Sequence, residues 1–423
     1  MNRRQFILAG VTVGIASAIS LKPSDNGSPY NNYFSALNSN LKNQGNFIPS
    51  MLVDLDLLDK NIDILKQQLN PNVDYRIVAK SLPSPDLLGY IMEKSKTNKL
   101  MVFHQPFLTT LASEYPQSDI LMGKPMPVKA AEVFYKKLSS DNSFNTSTQL
   151  QWLIDSEERL SQYLELAKQQ NTLLQVNIEI DVGLHRGGLQ QAEELDALLK
   201  IIDSNQQHLR FSGFMGYDPQ IVKIPSIVKS PEQAFTESQA IYQAFVDRLY
   251  LQAPQYKKQS LCFNGAGSPS LPLHKSKTVA NELSAGSCLV KPVDFDIPSL
   301  SQYTPAAFIA TPVLKKMVGT QLPVIEFAKD ILPLWDKNMQ QTYFIYGGKW
   351  LAQYESPSGL QGNGLYGTST NQAIINGSEK TNLAVDDHVF LRPTQSEFVF
   401  LQFGNILTLR NKTIENQWKI LHG

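Results

Sequence analysis

Cysteine is scarce in this chain, and its two cysteines exclude the common cysteine-based sites. Cys262 and Cys288 are far apart in the sequence, and no CxxC pair is present. Zinc clusters and disulfide frameworks need more cysteines at characteristic spacings. Each cysteine lies in an apolar, strand-like segment, which predicts a buried free thiol.

Neither sign of charge dominates the sequence. Lysine and arginine together number 38, aspartate and glutamate also number 38, and no long run of one sign occurs. A nucleic-acid surface normally needs a basic stripe, so we expect no nucleic-acid partner. The hydrophobic fraction of 42% is that of a folded globular protein. At 423 residues the chain exceeds one ordinary core, which predicts two domains.

The N-terminus has the pattern of an export signal. Residues 1–20 combine the pair Arg3 and Arg4, an apolar stretch over Phe6–Ile15, and small residues after it. This pattern predicts a twin-arginine-type signal and a periplasmic protein. An uncleaved signal would act as a membrane anchor, although the apolar stretch is short for a span. Residues 21–46 are rich in Asn, Ser and Pro, which predicts a flexible tether.

Short apolar runs alternate with amphipathic segments over residues 47–300. Strands that alternate with helices at this spacing indicate βαβ units and a parallel sheet. Eight strands predict a (β/α)8 barrel, and a doubly wound open sheet is the alternative, although no GxGxxG follows the first strand. The predicted strands are Arg76–Ala79, Leu100–Phe103, Asp119–Met122, Gln151–Ile154, Leu173–Ile180, Phe211–Gly216, Leu261–Asn264 and Leu283–Val290.

The character of the sequence changes after the predicted barrel. Residues 301–423 contain short β-branched or aromatic runs such as "TYFIYGG" and "FVFLQF", separated by turn residues. This pattern predicts a β-rich C-terminal domain.

Polar residues follow several of the predicted strands. Lys80 ends the first strand, His185 and Arg186 follow the fifth, and Tyr217 follows the sixth. In a barrel of this type the chemistry lies at the carboxyl ends of the strands. We therefore expect these side chains to converge on one rim.

Two glycine-rich segments at the last two strands predict a phosphate site. The first contains Gly265, Gly267 and Ser268, and the second contains Gly286 and Ser287. Glycines let backbone N–H groups approach an anion, and barrels often bind phosphate after strands seven and eight. A lysine opposite a phosphate suggests pyridoxal phosphate, because a desolvated, neutral amine can condense with an aldehyde. A solvated loop lysine is the alternative.

An ordered set of motifs carries a family resemblance. The motifs are "PSMLVDLDLLDKNI", "RIVAKSLPSPDL", "IEIDVGLHRGGL", "GFMGYD", "FNGAGSPS" and "ELSAGSCLV". Together they resemble the D-threonine aldolase and D-serine dehydratase branch of the alanine-racemase-like, fold-type III pyridoxal-phosphate enzymes. The resemblance implies that Lys80 carries the cofactor, that Arg186 lies near its phenolic oxygen, and that Tyr217 lies beside its ring. The glycine and serine segments correspond to the phosphate cradle, and His185 is a candidate proton carrier.

The chain also departs from the family pattern. The motif R-P-H-x-K-T-H-K is matched here by "RIVAKSLP", which keeps the lysine and loses its imidazole and ammonium neighbours. Where the family carries P-N-H-x-[CD], this chain reads "PTQSEF", so that Gln395 and Glu397 stand in place of metal ligands. Amide and carboxylate oxygens suit Mg²⁺, Ca²⁺ or Mn²⁺ better than zinc. The alternative is a polar loop without an ion.

These features predict an exported pyridoxal-phosphate enzyme, expected as a homodimer, that acts on a D-amino acid. The reaction can be aldol cleavage, β-elimination or racemisation, because pyridoxal phosphate supports all three and the protein selects the bond that breaks. The alternatives are an amino-acid racemase without metal and a cofactor- or amino-compound-binding protein that has lost catalysis.

Overall fold

A computed structural model describes residues 22–139, 141–225, 227–321 and 328–422. The predicted signal, with Arg3 and Arg4, lies outside these ranges. Within them, no helix combines the length and the hydropathy that crossing a membrane requires.

The described residues alternate between helices and strands along the first three quarters of the chain and are mostly strands after it. The strands are β1 (Ser50–Asp54), β2 (Asp74–Val78), β3 (Lys99–Val102), β4 (Asp119–Met122), β5 (Leu150–Ile154), β6 (Leu174–Glu179), β7 (Leu209–Gly216), β8 (Cys262–Gly265), β9 (Glu282–Ala285), β10 (Ala307–Val318), β11 (Gln341–Tyr346), β12 (Ala352–Ser356), β13 (Gln361–Gly362), β14 (Gln372–Gly377), β15 (His388–Pro393), β16 (Ile406–Arg410) and β17 (Thr413–Trp418). The helices are α1 (Asn32–Asn43), α2 (Leu55–Gln68), α3 (Pro85–Ser95), α4 (Gln105–Glu114), α5 (Val128–Lys137), α6 (Thr146–Gln149), α7 (Glu157–Gln170), α8 (Leu195–Asp203), α9 (Pro231–Gln252), α10 (Ala328–Trp335) and α11 (Ser396–Phe400).

Strands β2 to β9 form a closed parallel barrel, which confirms the predicted fold. The barrel closes where β2 pairs with β9, with Ile77 opposite Ala285. Most strand residues are buried, as expected where helices cover the outside of a parallel sheet and side chains fill the inside. Some of the helices start at side-chain caps: Ser84 accepts a hydrogen bond from the Leu87 N–H, and Ser156 accepts one from the Arg159 N–H.

The eighth barrel strand is shorter than predicted. Strand β9 ends at Ala285, whereas the sequence favoured a strand as far as Val290. Residues Ser287–Leu289 form a 3₁₀ turn instead, because Gly286 leaves the extended conformation. The turn brings the Gly286–Ser287 segment to the carboxyl end of the barrel.

The β-rich domain exists, but its boundaries differ from the predicted 301–423. Its compact unit takes the described residues of Met1–Leu52, together with Ala307–Thr394 and Leu407–Asn416. Its sheet runs in the order β13-β14-β11-β10-β1-β16-β17, with β15 paired to β10 and β12 paired to β15. Residues Gln395–Ile406 and Gln417–Gly423 belong to the barrel unit instead.

The predicted flexible tether at 21–46 is wrong for its described residues. Helix α1 lies within this segment, and the Asn31 side chain caps it by accepting a hydrogen bond from the Phe34 N–H. Phe34, Leu37 and Leu41 are buried in a cluster with apolar side chains of β10 and β15. Their spacing puts them on one face of the helix, which supplies the burial that a flexible tether lacks.

Candidate active site

Lys80 lies just beyond the carboxyl end of β2, in the wall of a cavity at the carboxyl ends of the barrel strands. Residues Ala79–Ser81 form one 3₁₀ turn after the strand, and this turn places the lysine at the rim. Its ammonium nitrogen Nζ is 2.7 Å from Glu397 Oε1. The same nitrogen lies 4.9 Å from the centroid of the Phe103 ring. Lys80 is therefore held at a defined position beside the cavity.

The cavity has a volume of about 620 Å³, its open mouth included. Its walls come from residues at the ends of β2, β3, β7, β8 and β9 and from residues that follow β4 and β6, together with Glu397. The structure thus brings together most of the predicted site residues. Those that line the cavity are Lys80, Arg186, Tyr217, Gly267, Ser268, Gly286, Ser287 and Glu397.

Hydroxyl groups connect the two glycine-rich segments. Ser268 Oγ accepts hydrogen bonds from the backbone N–H groups of Gly286, at 3.2 Å, and Cys288, at 3.1 Å. Ser287 Oγ donates to Ser81 Oγ at 2.9 Å. The last strand of the barrel is in this way tied to the turn that carries Lys80.

Two of these glycines lie where a side chain would collide. A Cβ atom at Gly286 would be 2.7 Å from the Val78 carbonyl oxygen, and one at Gly267 would be 2.5 Å from Tyr217 Cε2. Gly265 is in β8 and is buried, but it does not line the cavity. Glycine at 267 and 286 therefore allows the segments to approach the first strand and the Tyr217 ring.

Arg186 and Tyr217 form a second part of the wall. The guanidinium carbon of Arg186 lies 4.8 Å from the centroid of the Tyr217 ring. This geometry is that of a cation–π contact. Burial raises the pKa of the Tyr217 hydroxyl, so this group is protonated at neutral pH. The pair offers a fixed cation and a flat ring to a ligand in the cavity.

Glu179, at the end of β6, was not among the sequence predictions. Its pKa is raised to about 7, mainly by burial and also by the charge of Asp155, while Arg186 opposes the shift. The carboxyl group lies close to the backbone of Gly187, where a Cβ would be 3.7 Å from Glu179 Oε2. An acidic residue at a strand end was the available signal, but such residues also occur in ordinary turns.

The structure does not bring His185 into the cavity, contrary to the expectation that it carries protons there. Its side chain is 81% exposed, and its Nδ1 lies 2.8 Å from Asp181 Oδ2. Asp181 Oδ1 also accepts hydrogen bonds from the backbone N–H groups of Gly183 and His185. The backbone of His185 has a φ of +56°, which turns the side chain away. Asp181 caps this turn, and its hydrogen-bond partners belong to the turn.

Gln395 and Glu397, the predicted metal ligands, have different partners. Gln395 Nε2 donates to Asp294 Oδ2 at 3.0 Å, while Glu397 pairs with Lys80. Among the residues that the structure describes, no three His, Cys, Asp or Glu side chains are grouped as metal ligands. One carboxylate beside an ammonium group and one amide fit a divalent metal poorly, because a stable site needs several anionic or nitrogen ligands.

A buried polar network lies behind the loop that contains Gly267, and the sequence did not predict it. Asp218 Oδ1 accepts a hydrogen bond from Ser270 Oγ at 2.6 Å, and Asp218 Oδ2 lies 2.9 Å from His274 Nε2. Ser270 Oγ in turn accepts from the Gly267 N–H at 3.1 Å. The motifs "GFMGYD" and "FNGAGSPS" contain Asp218, Gly267 and Ser270, but only the fold shows that these residues touch. The network fixes the loop that contains Gly267.

Comparisons with known proteins agree with this architecture. The family model described as "Alanine racemase, N-terminal domain" matches residues 53–292. A search of curated proteins finds no significant match.

Solved structures with a similar fold include three enzymes of low sequence identity. D-threonine aldolase from Filomicrobium marinum has a TM-score of 0.66 and 14% identity, with 88% of this chain and 96% of that chain covered. D-threo-3-hydroxyaspartate dehydratase from Delftia sp. HT23 has a TM-score of 0.65 and 16% identity, with 89% of this chain and 97% of that chain covered. Alanine racemase from Bacillus anthracis has a TM-score of 0.65 and 13% identity, with 88% of this chain and 98% of that chain covered.

Proposed function

Because the chain belongs to the alanine racemase N-terminal domain family, we propose that it is a pyridoxal-phosphate enzyme that acts on a D-amino acid. Enzymes of this family use pyridoxal phosphate. The observation that carries the proposal is the position of Lys80, just beyond the end of β2, in a cavity that is also lined by the two glycine and serine segments.

The residues present fit the cofactor in shape and in charge. Ser81, Ser268 and Ser287 supply hydroxyl groups to the cavity wall, and glycine at 267 and 286 lets the two segments approach the Tyr217 ring and β2. In this wall the only carboxylate among the described lining residues is Glu397, which is paired with Lys80. An anionic phosphate therefore meets hydroxyl groups rather than unpaired negative charge.

Lys80 would hold the cofactor covalently, and Arg186 with Tyr217 would position its ring. An amine attacks an aldehyde only when neutral, so Lys80 must transfer a proton from Nζ, and Glu397 Oε1 at 2.7 Å is placed to receive it. When bound, the cofactor takes up the electron pair released as a bond at the substrate's α-carbon breaks. Lys80 Nζ would also be the group that moves a proton at the substrate's α-carbon.

The bond that breaks at the substrate's α-carbon decides which reaction takes place. Aldol cleavage, β-elimination and racemisation would all use Lys80 and the same cavity. Racemisation also needs a second proton carrier on the opposite face, and His185 is turned out of the cavity. We therefore place a lyase reaction, like that of D-threonine aldolase or D-serine dehydratase, ahead of racemisation.

A panel assay tests the proposed function. Purified protein is loaded with pyridoxal phosphate, and its absorption spectrum and products are followed with D- and L-amino acids. We expect a visible absorption band that shifts with D-amino acids, and a keto acid, an aldehyde or the opposite enantiomer as product. Colour without product would favour a binding protein that has lost catalysis. Lack of colour at saturating cofactor would contradict the proposal.

We also propose that the protein is exported and assembles as a dimer. The arginine pair near the N-terminus supports export by a twin-arginine pathway, which carries folded proteins and so suits an enzyme loaded with its cofactor in the cytoplasm. We propose a periplasmic homodimer, and light scattering after size-exclusion chromatography measures its mass directly.

A further inference from the structure

Three buried side chains, called here the Asp218 network, form a chain of hydrogen bonds that ends at Gly267. Ser270 Oγ accepts from the Gly267 N–H at 3.1 Å and donates to Asp218 Oδ1 at 2.6 Å. Asp218 Oδ2 lies 2.9 Å from His274 Nε2, which is the donor because a carboxylate only accepts. The three residues are at most 1% exposed, and they are not among the residues that line the cavity. They therefore act on a ligand only through the segment that they hold, residues 266–270.

Segment 266–270 is itself part of the cavity wall. Gly267 and Ser268 line the cavity, and Ser268 Oγ accepts hydrogen bonds from two backbone N–H groups that follow β9. The Tyr217 ring lies so close to Gly267 that a Cβ there would be 2.5 Å from it. Tyr217 and Asp218 are consecutive, so both contacts fix the segment to the residues that follow β7.

The backbone of this segment begins in an unfavourable conformation. Ala266, between β8 and Gly267, has a φ of +65°. A residue with a Cβ rarely adopts this left-handed conformation, which persists only where surrounding contacts hold it. The hydrogen bond from the Gly267 N–H to Ser270 Oγ holds the residue that directly follows Ala266. Without the Ser270 hydroxyl we expect Ala266 to relax and Gly267 to move with it.

We propose that the Asp218 network positions segment 266–270 to receive the phosphate of the cofactor. Its three members are thus positioning residues, and they contribute to the selection of a phosphorylated cofactor over an unphosphorylated one. This inference rests on the proposed function and goes beyond it, because it assigns a role to residues that touch neither the cofactor nor the substrate.

Attachment of the aldehyde depends on a different part of the cavity. Lys80 belongs to the turn after β2, and its ion-pair partner Glu397 belongs to α11. Pyridoxal carries the same aldehyde as pyridoxal phosphate but lacks the phosphate. Loss of the network should therefore weaken the binding of pyridoxal phosphate and leave that of pyridoxal nearly unchanged. A merely structural role would weaken both.

The test compares the two compounds on full-length protein freed of cofactor. Dissociation constants are measured from the visible absorption band, and the constant for pyridoxal divided by that for pyridoxal phosphate reports the contribution of the phosphate. We expect Ser270→Ala to reduce this ratio at least about 10-fold, because it breaks hydrogen bonds to both Gly267 and Asp218. His274→Gln, whose amide can still donate to Asp218, should reduce it less. Ser118→Ala removes another buried, hydrogen-bonded hydroxyl, just before β4, and should leave the ratio unchanged.

A second measurement starts from the unmodified protein. Amide hydrogen exchange at Gly267 should be slow without cofactor, because the network already holds this N–H. The exchange should become faster in Ser270→Ala. Rapid exchange in the unmodified protein would show that the segment is not held before the cofactor binds, and would overturn the inference.

The outcomes separate this inference from the proposed function. An unchanged ratio in folded Ser270→Ala, or equal losses of affinity for both compounds, would overturn the inference and leave the proposed function intact. Equal affinity of the unmodified protein for the two compounds would show that the segment does not bind phosphate, and would also overturn the inference. Absence of an absorption band with either compound would overturn the proposed function as well.

Discussion

Arg76 and Glu282 form a fully buried ion pair that links the first and last strands of the barrel. Arg76 Nη2 lies 2.9 Å from Glu282 Oε2, and the two side chains are 0% and 1% exposed. Burial alone would raise the pKa of Glu282, but Arg76 and Lys99 lower it to about 2. Arg76 also donates to the carbonyl oxygens of Leu100 and Asp119. The pair holds β2, whose far end carries Lys80.

Arg76→Met should strongly destabilise the protein. The substitution leaves the Glu282 carboxylate buried without its main partner, which costs about 3–5 kcal/mol in the free energy of unfolding. Arg248→Met, which breaks a more exposed pair with Asp196, should lower the free energy of unfolding much less. Denaturant unfolding measures both. Equal losses in the two variants would contradict the role given to Arg76.

Glu179 should make the folded state less stable as the pH rises toward neutrality. Its folded pKa is about 7, against an ordinary 4.5, so between these values the folded protein holds a proton that the unfolded chain has released. By linkage the free energy of unfolding then falls as the pH rises through this window. In Glu179→Gln this contribution should vanish. Melting temperatures of both proteins between pH 4.5 and pH 8 test it: parallel curves would show that Glu179 has an ordinary pKa.

The barrel and most of its rim could be predicted because their signals are local. A buried run that ends in a polar residue, such as the one before Lys80, marks a strand end whatever the rest of the chain does. The parallel barrel then requires all such ends to meet on one side. The same logic could not show that His185 turns outward, since its direction depends on a positive φ and on hydrogen bonds to Asp181.

Long-range pairing explains what the sequence did not reveal. Helix α1 looked like a tether because Asn and Ser dominate its composition, while Phe34 and Leu37 are buried in a cluster that includes strand residues about 270 or more positions away. Glu397 was expected in the C-terminal domain, but its segment belongs to the barrel unit. Its contact with Lys80 joins positions 317 residues apart, and no spacing rule predicts such a contact.

Activity should depend little on zinc. Gln395 and Glu397 supply an amide and one carboxylate, and the carboxylate faces Lys80, so a tightly held zinc ion lacks ligands. We expect substoichiometric zinc in protein purified without chelator, and turnover that changes less than about twofold after chelation. Stoichiometric zinc, with turnover lost to chelator and restored by the metal, would refute this expectation. It would also favour a β-hydroxy-D-amino acid as the substrate.

Export should depend on the arginine pair. Replacing Arg3 and Arg4 together by Lys should leave precursor in the cytoplasm, because the pathway's receptor reads the paired arginines. Fractionation of cells that express either form, with a cytoplasmic and a periplasmic marker, measures the distribution. If the double variant reaches the periplasm as the unmodified protein does, the signal is not of the twin-arginine type.

The most direct test of the account is to find which lysine holds the cofactor. Loaded protein is reduced with borohydride, digested and mapped by mass spectrometry. We predict that the label lies on Lys80, that Lys80→Ala folds with an unchanged melting temperature but takes up no label, and that Lys124→Ala is labelled normally. Lys124 is a suitable control because it also follows a barrel strand, β4, but is exposed. Label on another lysine, or undiminished labelling of Lys80→Ala, would contradict the assignment of this cavity as the active site.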